Sequence, residues 1–138
     1  MVMETPIVTS VDRKRLQDVV LALRSVGDPF RSHLRELTQI LERAEVVSPS
    51  DVDPDVITMN SRVRARDVET GRAETFTLVY HGASGMFDSR LSVLTPLGVA
   101  VLGARVGDVI GFPIRRGVRR LRIEEMLYQP EAAGDFEL

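Results

Sequence analysis

From Leu16 to Ala44 the apolar residues recur at helical spacing. Leu16, Val19, Val20, Leu23 and Val26 form one stripe, and Phe30, Leu34, Leu37, Leu41 and Ala44 form a second, stepping by four, three, four and three. Charged residues such as Arg31, Arg35, Glu36, Glu42 and Arg43 fall on the other faces, which is the pattern of two amphipathic helices. Between the stripes, Gly27-Asp28-Pro29 is a stop and restart: glycine closes one helix, aspartate caps the next and proline takes its first position. The spacing predicts a short antiparallel, coiled-coil-like helical hairpin over residues 1–47. Its helices run over about 10–26 and 29–46, with Gly27, Asp28 and Pro29 at the tip.

The period then changes. Residues 48–56, "SPSDVDPDV", carry two prolines and alternating aspartates and read as a capped turn followed by a linker. In "MNSRVRARDV" Arg62, Arg64 and Arg66 alternate with Val63 and Ala65, and in "AETFTLVYH" Phe76, Leu78 and Tyr80 alternate with polar residues. Glu69-Thr70-Gly71-Arg72 makes a hairpin turn between them. "TPLGVAVLGA" (95–104) predicts one short helix opened by Thr95 and Pro96. "VGDVIGFPI" and "VRRLRIEEMLYQ" supply two further strands, with turns at Gly107-Asp108 and Arg116-Gly117. Residues 57–138 thus form an antiparallel sheet with one short helix, and the whole chain is α+β.

Composition narrows the function classes. The chain has 138 residues, 28% of them charged, and a net charge of −2, which gives no global attraction for nucleic acid or membranes. All but Lys14 of the 18 basic residues are arginine. With no cysteine, disulfides, thiolate catalysis and zinc–thiolate sites are excluded. The amino-terminal stretch lacks the pattern of a signal peptide, and no apolar run approaches the roughly 20 residues of a membrane span, so a cytoplasmic protein is expected.

Catalytic chemistry finds little to work with. His33 and His81 are far apart in sequence and have no obvious partners for a metal or a nucleophile. The glycines of "LGARVGD" lack the spacing of a phosphate-binding loop. Asp51, Asp53 and Asp55 alternate as in a calcium loop, but the glycine and terminal glutamate of such a loop are missing, so a solvated turn is the plainer reading. Glu124 and Glu125, as strand neighbours, are expected on opposite faces. Asp28 stands alone at the tip and serves first as a helix cap. Arg115, Arg116, Arg119, Arg120 and Arg122 could meet phosphates or an acidic surface, though a charged, solvated sheet edge explains them as well. No cofactor, metal or catalytic residue is expected.

Several separated motifs, taken in order, carry a resemblance. Thr95-Pro96-Leu97-Gly98, Leu102-Gly103 and Val106-Gly107-Asp108 follow the Ser-Pro-Leu and Gly-Asp pattern of the carboxy-terminal domain of Gre-type (GreA/GreB) factors of bacterial RNA polymerase. With "TMNSRV" (58–63), "TLVYH" and "YQPEAAGDFEL", the chain more closely resembles the Rnk branch of that family, the regulators of nucleoside diphosphate kinase.

The resemblance implies an FKBP-like carboxy-terminal domain that docks near the polymerase secondary channel. The implied docking residues are Ser92, Leu94, Thr95, Pro96, Leu97 and Gly98, with apolar contact expected from exposed leucine and proline on a rigid turn. Where Gre factors continue with a basic residue, this chain has Val99 and Ala100. Gre factors stimulate transcript cleavage with paired acids on a long arm; here Asp28 is single and the first helix reaches only roughly 24 Å. The resemblance therefore implies polymerase binding and competition with Gre factors, without cleavage stimulation and without direct nucleic-acid or membrane contact. Two alternatives stay open: direct regulation of nucleoside diphosphate kinase, and a prolyl isomerase suggested by the FKBP-like fold. Two tyrosines, five phenylalanines and no tryptophan argue against an aromatic isomerase pocket.

Overall fold

The computed structural model describes residues 5–24, 31–80 and 89–136, with side chains of the second block described from Leu34 onward. Strand β1 (Ile7–Thr9) leads directly into helix α1 (Ser10–Arg24), and helix α2 (Arg31–Arg43) leads into β2 (Glu45–Val47). Then follow β3 (Arg62–Asp67), β4 (Ala73–Val79), β5 (Arg90–Ser92), α3 (Pro96–Val101), β6 (Val109–Ile114), β7 (Gly117–Tyr128) and α4 (Pro130–Ala133). Helix α1 starts where Thr9 turns its hydroxyl to accept the Asp12 N–H at 3.0 Å, an N-cap the apolar pattern did not reveal. The tip residues Gly27, Asp28 and Pro29 lie outside the described residues.

Helix α2 stops at Arg43, short of the expected 46, because Glu45-Val46-Val47 joins a two-stranded parallel sheet with Ile7-Val8-Thr9. The Glu45 N–H reaches Pro6 O at 2.8 Å, and Ile7 N–H reaches Gly103 O at 3.2 Å, so the two ends of the helical unit are tied to each other and, through Ile7, to the body. The β-branched pair Val46-Val47 suits this extended path better than a last helical turn.

The main sheet has order β5-β4-β3-β7-β6. It is antiparallel except that β5 runs parallel to β4, a departure from the all-antiparallel expectation that the long connection after Val79 allows. A second short helix, α4, follows β7. The expected strand start at Met59 is also displaced: Thr58–Ser61 is a turn with Asn60 at φ 68°, and β3 begins at Arg62. Asparagine tolerates that left-handed position better than most residues.

Strand β7 carries a bulge where Arg64 pairs with Glu125 and Ala65 with Ile123. The alternation of inward residues shifts phase there, from Leu121 and Ile123 to Met126. Glu124 and Glu125 therefore share a partner instead of pointing apart. Glu124 bonds Arg66 at 2.6 Å and Arg64 at 3.4 Å, and Glu125 also pairs with Arg64.

One core joins both parts. Leu16, Val20, Leu34, Leu37 and Leu41 from the helices pack in the same cluster as Val63, Leu78, Val99, Leu102, Leu121 and Ile123. The stretch read as a linker is fastened: Val56 is fully buried, and Gln129 Nε2 donates to Asp53 O at 2.8 Å and Val56 O at 2.7 Å.

Candidate docking site

The segment from Ser92 to Gly98 is built from its end inward. Strand β5 pairs Ser92 with Val79, and Val93 N–H donates to Val79 O at 2.9 Å, which fixes the segment to the sheet. Ser92 Oγ accepts the Leu94 N–H at 3.2 Å. Ser92 O accepts from Thr95 N–H at 3.1 Å and Thr95 Oγ1 at 2.7 Å. Thr95 is the N-cap of α3, accepting Gly98 N–H at 3.0 Å, and Pro96 takes the first helical position. The result is a turn held by bonds from the Val93, Leu94, Thr95 and Gly98 N–H groups.

Its six candidate residues divide. Ser92, Thr95, Pro96 and Leu97 are half-buried and border solvent. Leu94, expected at the surface, is 2% exposed and sits in the core, because the tight turn after Ser92 directs it inward. Gly98 is buried against the turn: a Cβ there would stand 2.0 Å from Ser92 O and 2.9 Å from Val93 Cα. Leu94 and Gly98 thus shape the surface from beneath, leaving Pro96 and Leu97 as its apolar part.

Several other sequence candidates take structural roles. Asp53 and Asp55 grip Arg105, at 3.1 and 2.9 Å, instead of framing an ion, and Val106 N–H bonds Asp55 O. Arg119 spans Asp67 and Glu74, both at 2.7 Å, and Arg120 reaches Glu69 at 3.4 Å. The Arg119 guanidinium, with the Thr70 and Glu69 N–H groups, holds the Asp67 carboxyl down at about 2. Among the described residues no group of three His, Cys, Asp or Glu could hold a metal ion. His81 and the His33 side chain lie outside the described residues. A groove of about 550 Å³ runs between Ile40, Arg43, Leu102 and β6. Its Arg105 and Asp108 are engaged in the internal bonds of the glycine-containing loop, and among the described residues no aromatic side chain lines it.

A polar joint that the sequence reading passed over lies between α1 and the sheet. Asp12 accepts Met59 N–H at 3.0 Å and the Tyr80 hydroxyl at 3.3 Å. Beside it Thr58 Oγ1 donates to Glu131 at 2.6 Å and meets Ser61 Oγ at 2.9 Å. The signal was present: Asp12 is four residues before Leu16 and eight before Val20, a carboxylate on the buried stripe.

A short two-helix unit set on a curled mixed sheet, with a capped Thr-Pro turn at one corner, defines the class. The chain belongs to the GreA/GreB family of transcription elongation factors: the profile described as "Transcription elongation factor, GreA/GreB, C-term" matches residues 51–128. It is 38% identical over 135 residues to the regulator of nucleoside diphosphate kinase of Escherichia coli K12, covering 97% of each chain. It is also 33% identical over 95 residues to transcription elongation factor GreA of Thermotoga neapolitana, covering 69% of this chain and 60% of that one. Among solved structures, a GreA/GreB elongation factor from Nitrosomonas europaea superposes with a TM-score of 0.74 at 35% identity, covering 91% of this chain and all of that one. The chain is thus a transcription-factor-like regulator, and no catalytic site is indicated. No helix of the described residues is long and apolar enough to cross a membrane.

Proposed function

We propose that this protein is a non-enzymatic, cytoplasmic regulator that docks on bacterial RNA polymerase near its secondary channel and competes there with Gre-type factors. Residues 57–138 act as the FKBP-like docking domain, 1–47 as a short hairpin arm, and 48–56 as the connection between them. Ser92, Thr95, Pro96 and Leu97 make the contact, with Leu94 and Gly98 supporting it from below. The observation that carries the reading is the preformed turn inside the family-matched region: Thr95 and Ser92 fix its backbone before any partner arrives. A rigid turn presenting proline and leucine loses little conformational entropy on binding.

The arm acts by position and bulk. Helix α1 has 15 residues, about 22 Å of rise, and Asp28 is the single acid between Ser25 and Phe30. Cleavage stimulation by paired tip acids is therefore not expected. Co-purification with core polymerase, followed by a transcript-cleavage assay on backtracked complexes with a Gre factor present, tests the reading. The protein alone leaves transcripts uncut and inhibits Gre-stimulated cleavage; Pro96→Glu and Leu97→Glu each weaken binding roughly tenfold or more. Cleavage by the protein alone, or no binding by the wild type, overturns the reading. Normal binding by both variants removes the docking residues.

The similarity to a protein named for regulating nucleoside diphosphate kinase favours a second reading, direct contact with that enzyme. Complex formation between the two purified proteins, without polymerase, would select it.

A further inference from the structure

Two buried aspartates in this fold are treated oppositely. Asp67 receives Arg119 at 2.7 Å and two backbone N–H groups within 3.0 Å. Asp12, 4% exposed, receives one N–H at 3.0 Å and one phenol at 3.3 Å. The titratable groups facing Asp12 are Arg15 one turn along α1, Tyr80 just past β4, and Glu131 on α4. Arg15 also bonds Tyr80, so its donor capacity is shared, and the Glu131 charge opposes that of Asp12. Burial pushes the Asp12 carboxyl up to about 6, against the pull of the Met59 N–H and with Glu131 adding to the rise.

We propose that Asp12 is a proton-linked latch that sets how firmly α1 is held on the sheet. Neutral, it still meets the Met59 N–H and the Tyr80 hydroxyl and carries no charge for burial to penalise. Ionised, it leaves a buried negative charge with two donors, and the cost is relieved when α1 lifts and the carboxylate meets water. The joint also has reach. Tyr80 follows Val79, whose strand partner is Ser92, so the latch ties α1 to the strand pair that bears the Ser92–Gly98 turn.

The folded pKa lies above the unfolded value of 3.8, so the latch's stabilisation is full below that value and is lost as pH rises through about 6. Amide hydrogen exchange of α1, corrected for intrinsic rates, should show protection roughly tenfold higher at pH 5.0 than at pH 7.5. Asp12→Asn should remove this dependence. Tyr80→Phe, which deletes a donor to the ionised form, should move the midpoint to higher pH. Direct carbon-13 titration of the Asp12 carboxyl keeps the idea testable should either variant fold poorly. A midpoint below 4.5, or a pH dependence of α1 exchange that Asp12→Asn leaves intact, overturns the latch.

Discussion

Replacing Gly98 by alanine separates local propensity from packing. In an exposed helix interior, glycine to alanine gains about 1 kcal/mol. Here the new Cβ would lie 2.0 Å from Ser92 O, 2.8 Å from Ser92 C and 2.9 Å from Val93 Cα, all backbone atoms. The turn cannot yield cheaply, because Ser92 O already accepts two bonds from Thr95 and Val93 N–H is tied to Val79. Relieving the clash means opening those bonds, at about 1 kcal/mol each, or shifting the turn, at about 1–3 kcal/mol for overpacking. Set against the propensity gain, the net cost is about 1–2 kcal/mol. For 138 residues, about 3 °C of melting temperature accompanies each kcal/mol, so Gly98→Ala should melt roughly 3–6 °C lower by circular dichroism. A melting temperature equal to or above wild type would refute the packing reasoning. With a partner in hand, the same variant should also bind less well, since it displaces Pro96 and Leu97.

Gln129→Ala removes a buried amide serving Asp53 O, Val56 O and the Ala132 N–H. It should cost about 2–3 kcal/mol in urea unfolding, seen as a lower midpoint with an unchanged slope. Thr95→Ala loses the α3 cap and one bond to Ser92 O, for about 1–2 kcal/mol in the same measurement. Asp67, held at about 2, contributes stability that is present above its unfolded value near 4 and lost as pH falls toward 2. Thermal melts of Asp67→Asn should therefore show a shallower acid limb than wild type, and an unaltered limb would contradict the pairing with Arg119.

Motifs that looked separate in the chain meet in one place. The Asp53-Pro54-Asp55-Val56 stretch, the "TMNS" turn, the "LGARVGD" loop and "YQPEAAG" converge on residues 53–61. There Arg105 holds the aspartates, Gln129 holds their backbone, and Ile57 N–H bonds Ala104 O at 2.8 Å. The sequence marks each piece by its unusual residues, but nothing local in it says which pieces touch.

The sequence by itself determined what repeats locally: the two helical stripes, the alternation of β3 and β4, the Thr95-Pro96 start of α3, and the turns at Gly71 and Gly117. Each follows from neighbours within four residues, whose periodicity and backbone preferences are written in order along the chain. Only the tertiary structure decided the parallel pairing of Ile7–Thr9 with Glu45–Val47, the bulge that brings Glu124 and Glu125 onto Arg64, and the burial of Leu94. It also decided the surroundings of Asp12. A carboxyl on an apolar stripe is visible in the sequence, but that it meets an amide and a phenol is decided by partners 47 and 68 residues away. Burial and electrostatic environment are set by those distant partners, so they are fixed only when the chain closes on itself.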